Sequence, residues 1–158
     1  MTIAATPTRV DLGRVLGIEL PGLEYTVERG AVRQFAEAIG ERGAVHHDLA
    51  AARAAGHPDL LVPPTFLFGA ARERPFPLGF LAETGIDGSR LLHGEQTFAY
   101  HRPVHAGDVL RVLQQVTDAF RKGPAMTFIR LRTDLLRRPD DEPVVTLDSL
   151  IIVREDPA

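Results

Sequence analysis

Cysteine is absent from the 158 residues. Disulfides, thiolate nucleophiles and cysteine-based zinc sites are therefore excluded, and the redox compartment is left undecided. Basic excess is absent too. Eighteen Lys and Arg face 21 Asp and Glu, a formal net charge of −3, so there is no electrostatic footprint for nucleic acid. No window approaches the roughly 18 consecutive apolar residues of a membrane span. Met1 to Pro7 shows no basic cluster leading into an apolar stretch, so it does not read as a signal peptide. Cytoplasm is the expected location. Gly40, Gly43 and Gly56 make no phosphate loop, because no Gly-x-x-x-x-Gly-Lys-Ser/Thr occurs. Neither Ser89 nor Ser149 sits in a nucleophile elbow. His46, His47, Asp48, His57 and Asp59 lack a His-x-x-x-His spacing, so no metal is expected.

What remains is one domain's worth of chain with an ordinary balance, 44% apolar and 25% charged. Residues 1–10 read as a loose terminus and 11–155 as a single domain. Asp11 to Leu20 carries a weak strand signal, Pro21-Gly22 a turn, and Tyr25 to Val27 a short extended piece. Val32, Phe35, Ala36 and Ile39 fall on one helical face, with Gly40 as the stop. Glu41 to His47 is a polar loop. Asp48 caps an Ala-rich helix that Gly56 ends. Pro63-Pro64 halts an apolar run, and Thr65 to Arg72 is a third helix that Pro75 and Pro77 stop. Pro77 to Ser89 reads as irregular.

From residue 91 the period becomes that of strands. Leu91 to Tyr100, Val109 to Phe120, Met126 to Leu136 and Val144 to Val153 alternate, with turns at Ala106-Gly107-Asp108, Lys122-Gly123-Pro124 and Asp140-Asp141. Helices in the first half and long antiparallel strands in the second make an α+β domain. His93 and Glu95, at i and i+2, are expected on one face of their strand, where they pin the sheet or line a pocket. His101 and His105 are expected at the surface. The doublets Arg121-Lys122 and Arg137-Arg138 are either solvated turn residues or contacts for phosphate groups.

Two segments together resemble a known family. One is Phe35-Ala36-Glu37-Ala38-Ile39-Gly40-Glu41-Arg42-Gly43-Ala44-Val45-His46, followed by Ala52 and Val62-Pro63-Pro64-Thr65-Phe66. The other is His93-Gly94-Glu95-Gln96-Thr97-Phe98-Ala99-Tyr100-His101-Arg102-Pro103-Val104, then Ala106-Gly107-Asp108. They resemble the MaoC-like hydratases and dehydratases, and more closely the FAS1-like dehydratase (MaoC N-terminal domain) branch, which includes the mycobacterial (3R)-hydroxyacyl-ACP dehydratase subunits. The resemblance covers about residues 10 to 153. It implies a hot-dog fold, a curved antiparallel sheet wrapped around a central helix that begins near Thr65. Phe66, Phe68, Phe76 and Phe80 would be core, with some lining an acyl tunnel.

Active members carry Gly-Asp-x-Asn-Pro-x-His after the first helix, with a small residue six positions later. Here Gly40, His46 and Ala52 match, while Glu41 replaces the Asp, Gly43 the Asn and Ala44 the Pro. The resemblance implies Glu41 and His46 as an acid–base pair holding one water for hydration of a 2-enoyl thioester, or for dehydration of a (3R)-3-hydroxyacyl thioester. Backbone amides at Thr65 and Phe66 are the candidate oxyanion donors. No metal or redox cofactor is implied, and coenzyme A or a phosphopantetheine arm comes with the acyl-thioester substrate. Two other readings stay open: a non-catalytic subunit that shapes an acyl tunnel for a catalytic MaoC-type partner, and an acyl-CoA thioesterase, by fold alone. A homodimer or a heterodimer with another hot-dog subunit is expected, since lone sheet edges are usually covered.

Overall fold

The computed structural model describes residues 9–70 and 88–155. In order come α1 (Leu12–Val15), β1 (Glu19–Thr26), α2 (Arg29–Ala38) and α3 (Leu49–Ala54), then β2 (Leu91–Tyr100), β3 (Val109–Arg121), β4 (Met126–Arg137) and β5 (Glu142–Arg154). The strands form one curved antiparallel sheet in the order β1-β3-β4-β5-β2. This is the α+β architecture expected of a hot-dog domain.

Side chains alternate across each strand, and one face of the sheet is dry. Leu110, Val112, Val116, Ile129, Leu131 and Leu135 are buried on it. Two polar side chains on it are joined, Gln114 Nε2 donating to Thr133 Oγ1 at 3.1 Å. The larger core cluster joins Leu110, Val112, Leu135 and Leu147 to Val32 of α2, Ala52 of α3 and Leu60, Phe66 and Leu67. A smaller one gathers Val10, Val15, Val116, Ile129 and Val153.

That smaller cluster corrects the reading of the N-terminus. Val10 is buried, and its amide donates to Glu155 Oε1 at 2.8 Å. Val10, expected in a loose terminus, is thus fixed in the core, and residues 1–8 lie outside the described ones. Thr127 Oγ1 donates to the same buried Glu155 oxygen at 2.8 Å. Arg9 and Arg121 face its carboxylate at 3.9 and 3.6 Å.

Three local expectations change. Asp11 starts a short helix instead of a strand, because its carboxylate accepts from Gly13 and Arg14 amides at 3.0 and 3.3 Å. Pro21-Gly22 lies inside β1, where the register against β3 shifts between Leu20 and Leu23. An edge strand accommodates a proline and a bulge that a central strand would not. Where the helix is expected to begin, Thr65 is followed by a 3₁₀ turn, Phe66–Phe68, with Gly69 N–H donating to Phe66 O at 2.9 Å. Phe66, Leu67 and Ala70 are nonetheless in the core. The remainder of that expected helix, and residues 77–87 of the irregular stretch, lie outside the described residues.

Helix α2 is tied to the segment that follows α3. Arg29 Nε donates to Asp59 Oδ1 at 2.9 Å, a second guanidinium nitrogen reaches Oδ2, and Leu60 N–H donates to Oδ1 at 2.8 Å. The Arg29 hydrogen bond is the main force pulling the Asp59 carboxyl down to about 2. An acid whose folded pKa is depressed stabilises the fold above its unfolded pKa and loses that contribution as pH falls. Urea denaturation should show wild type ahead of Asp59→Asn at neutral pH. The gap should narrow as pH drops below the usual carboxylate range and close near about 2. A gap independent of pH would show that the ion pair is not its source.

Candidate active site

Gly40 ends α2 in the left-handed region, at φ 74°, the conformation in which glycine terminates helices without steric cost. The turn lets Glu41 N–H donate back to Ala36 O at 2.9 Å. Glu41 thus starts the loop from a fixed point. Its Oε1 accepts from Gly43 N–H at 2.7 Å. That bond is the largest influence holding the Glu41 carboxyl below its usual range, with attraction to His46 adding to it and partial burial opposing. Glu41 is therefore a carboxylate at neutral pH.

His46 closes a 3₁₀ turn, Ala44–His46, and its residue is only 8% exposed. Its Nδ1 lies 2.7 Å from the Leu61 carbonyl oxygen. A carbonyl only accepts, so Nδ1 carries the proton and neutral His46 keeps its lone pair on Nε2. His47 has the opposite tautomer. Its Nε2 lies 2.7 Å from the Glu41 carbonyl oxygen, so Nε2 must donate.

Glu41 and His46 meet over Gly43. A Cβ placed on Gly43 would lie 3.1 Å from Glu41 Oε1, 3.2 Å from His46 Cδ2 and 3.7 Å from His46 Nε2. Gly43 has φ −60°, which any residue adopts, so space and not backbone strain favours glycine here. The loop is built around the missing side chain, at the position where the resemblance expects Asn.

Of the other expected site residues, only Phe66 sits in the adjoining core. Phe66 is 6% exposed, and its ring packs edge-on against Phe35 of α2 at 5.5 Å. Its amide donates to Pro63 O at 3.1 Å. Thr65 is exposed and precedes the turn. Tyr100 on β2 donates its hydroxyl to the Pro64 carbonyl, and burial pushes its phenol up to about 12. A groove of about 410 Å³ runs along the loop, lined by Glu37, Gly40, Glu41, Arg42, Ala44, His47 and Asp48. His46 is not part of its wall.

His93 and Glu95 do not share a face. The register of β2 against β5 shifts between them, so Gly94 is the extra residue of a bulge. His93 stacks on Phe68 at 5.3 Å. His105 is half-buried instead of at the surface, with Nε2 3.1 Å from His57 Nδ1. The arginines of the basic doublets have internal partners. Arg121 donates to Val10 O, Arg137 to Asp108, Glu142 and the Pro103 carbonyl, and Arg138 to Glu24 and Asp141. Among the described residues no group of three or more His, Asp or Glu is placed to hold a metal ion. None of their helices is long and apolar enough to cross a membrane.

The chain matches the family described as the FAS1-like, dehydratase domain region over residues 14–147. It belongs to that family. It is 39% identical over 140 residues to a UPF0336 protein of Saccharopolyspora erythraea, covering 87% of this chain and 88% of that one. A UPF0336 protein of Clavibacter michiganensis is 42% identical over 147 residues, 92% of this chain and 95% of that one. Among solved structures it is similar to the HadBC (3R-hydroxyacyl-ACP dehydratase) complex of Mycobacterium tuberculosis, with a TM-score of 0.74 and 23% identity over 87% of this chain and 96% of that chain. The R-hydratase PhaJ1 of Pseudomonas aeruginosa has a TM-score of 0.67 and 22% identity over 89% of this chain and 83% of that chain. At these identities the structures establish the hot-dog fold. The activities belong to those proteins.

His47 and Leu61 shape the site but carried no distinguishing signal in the sequence. A carbonyl partner has no residue signature, and His47 reads as one more polar loop residue. The opposed tautomers are checkable. Long-range ¹H–¹⁵N spectra near pH 8 should show His46 protonated on Nδ1 and His47 on Nε2. The same tautomer for both rings would contradict one of the two carbonyl bonds.

Proposed function

We propose that this protein interconverts 2-enoyl and (3R)-3-hydroxyacyl thioesters, with Glu41 and His46 as the acid–base pair. The observation that supports it most is the convergence of an ionised carboxylate and an unprotonated imidazole nitrogen over Gly43. Both groups accept hydrogen bonds, so a water between them donates one proton to each and turns a lone pair outward. As that oxygen bonds to C3 of the enoyl thioester, His46 Nε2 takes its proton. The π electrons move onto the thioester oxygen as an enolate. The imidazolium then returns the proton to C2, and the pair regains its starting state. Glu41 orients the water and steadies the imidazolium by charge. Of the two expected oxyanion amides, Phe66 N–H already serves Pro63, so Thr65 N–H is the donor assigned to the enolate oxygen. Addition of water is not a redox reaction and consumes no cofactor. Coenzyme A or phosphopantetheine is part of the substrate.

A second reading is carried by the sheet edge. Leu92 and Tyr100 on edge strand β2 are 47% and 40% exposed, which suits pairing with a second hot-dog subunit. If the loop is inactive alone, this edge makes the chain a scaffold for a catalytic partner.

A spectrophotometric assay with crotonyl-CoA and a longer 2-enoyl-CoA separates them. Hydration should fall by about 10² to 10⁴ in His46→Ala and in Glu41→Gln, the usual worth of a positioned acid or base. Turnover unchanged in both variants would sink the pair. Activity only after adding a motif-intact MaoC-type partner would favour the scaffold. Release of free CoA would instead indicate thioesterase chemistry.

A further inference from the structure

The active-loop pattern relies on an Asn-Pro pair for stiffness, and this chain has Gly43-Ala44 there. Glycine adds backbone freedom, and catalysis is sensitive to displacements of about 1 Å. The structure nonetheless closes the loop. His47 Nε2 donates to the Glu41 carbonyl at 2.7 Å, joining the last loop residue to the first. Arg33 Nε donates to the His47 carbonyl at 2.8 Å, fastening that end to the flank of α2. Glu41 N–H returns to Ala36 O on the same helix, so both ends of the loop hang from α2.

We propose that His47, held by Arg33, is the positioning residue of the Glu41–His46 pair, supplying by side-chain hydrogen bonds the rigidity that the Gly43-Ala44 backbone lacks. The inference rests on the acid–base reading above. His47 touches no reacting atom. Its ring grips the peptide that carries Glu41, while its own peptide follows His46 directly. A donor on residue 47 therefore sets the separation between the carboxylate and the imidazole. Leu61, whose carbonyl orients His46, lies on a different segment from Arg33 of α2 and from the loop that carries His47. The pair is thus tied to two separate segments.

The test compares His47→Ala, His47→Gln and Arg33→Met. Glutamine places an amide donor at a similar reach without the ring. His47→Ala should lower kcat about 10- to 100-fold with KM little changed, in line with the cost of a misplaced group. His47→Gln should recover most of that loss, and Arg33→Met should show a smaller loss of the same kind. Amide hydrogen exchange is the second readout. The Gly43 amide, bonded to Glu41 Oε1, should lose protection in His47→Ala and keep it in His47→Gln. Unchanged kcat and unchanged Gly43 protection in His47→Ala would overturn the proposal. So would a glutamine variant as impaired as the alanine one, since bulk and not the donor would then be responsible. If the wild type hydrates no enoyl thioester, the acid–base reading fails, and exchange at Gly43 alone decides whether His47 orders the loop.

Discussion

The short extended segment Leu60–Val62 is the joint on which the candidate site depends. On one side Leu61 N–H donates to Val45 O at 3.0 Å, and its carbonyl accepts from His46 Nδ1 at 2.7 Å. On the other side Ala106 N–H donates to Leu60 O at 2.9 Å, and Val62 N–H to Val104 O at 2.9 Å. Leu60 and Val62 are buried in the main core cluster. Buried backbone groups must be paired, so the segment cannot slide without breaking bonds on both sides. Its position transmits the framework of the sheet to the ring of His46.

Around that joint, different interactions have different tasks. Apolar burial along β3, β4 and β5 holds the sheet against Phe66, Leu67 and Val32. It is non-directional and does not aim a side chain. Aim comes from hydrogen bonds to backbone: Leu61 O for His46, Gly43 N for Glu41, and Glu41 O for His47. The Arg29–Asp59 pair then fastens α2 to the segment just before the joint. The Gly43 amide is also the chief influence holding the Glu41 carboxyl below its usual range. The same bond that orders the loop therefore also favours the charged form of Glu41.

The departure of this loop from the active-member pattern has a spatial explanation. Gly43 cannot gain a Cβ without crowding Glu41 and His46. The longer Glu41 side chain folds back to its own loop amide, which brings the carboxylate over Gly43. Glutamate at 41 and glycine at 43 are thus complementary choices, and reverting one alone would not rebuild the other geometry.

Some elements could be read from residues because their signals are local. The apolar stripe Val32, Phe35, Ala36 and Ile39 ending at Gly40 marks α2, Asp48 caps α3, and alternation marks β3, β4 and β5. Glu41 and His46 came forward as candidates from the resemblance to the family's loop motif, not from a local folding signal. Pro21-Gly22 and His93-Gly94-Glu95 misled because a bulge depends on the partner strand, and one extra residue reverses which face a side chain takes. Composition and periodicity alone determined the α+β class and the absence of thiol chemistry. Tertiary structure decided which nitrogen of His46 is free and how His47 closes the loop, because the partner in each case is a carbonyl that every residue possesses and only the fold can bring into reach.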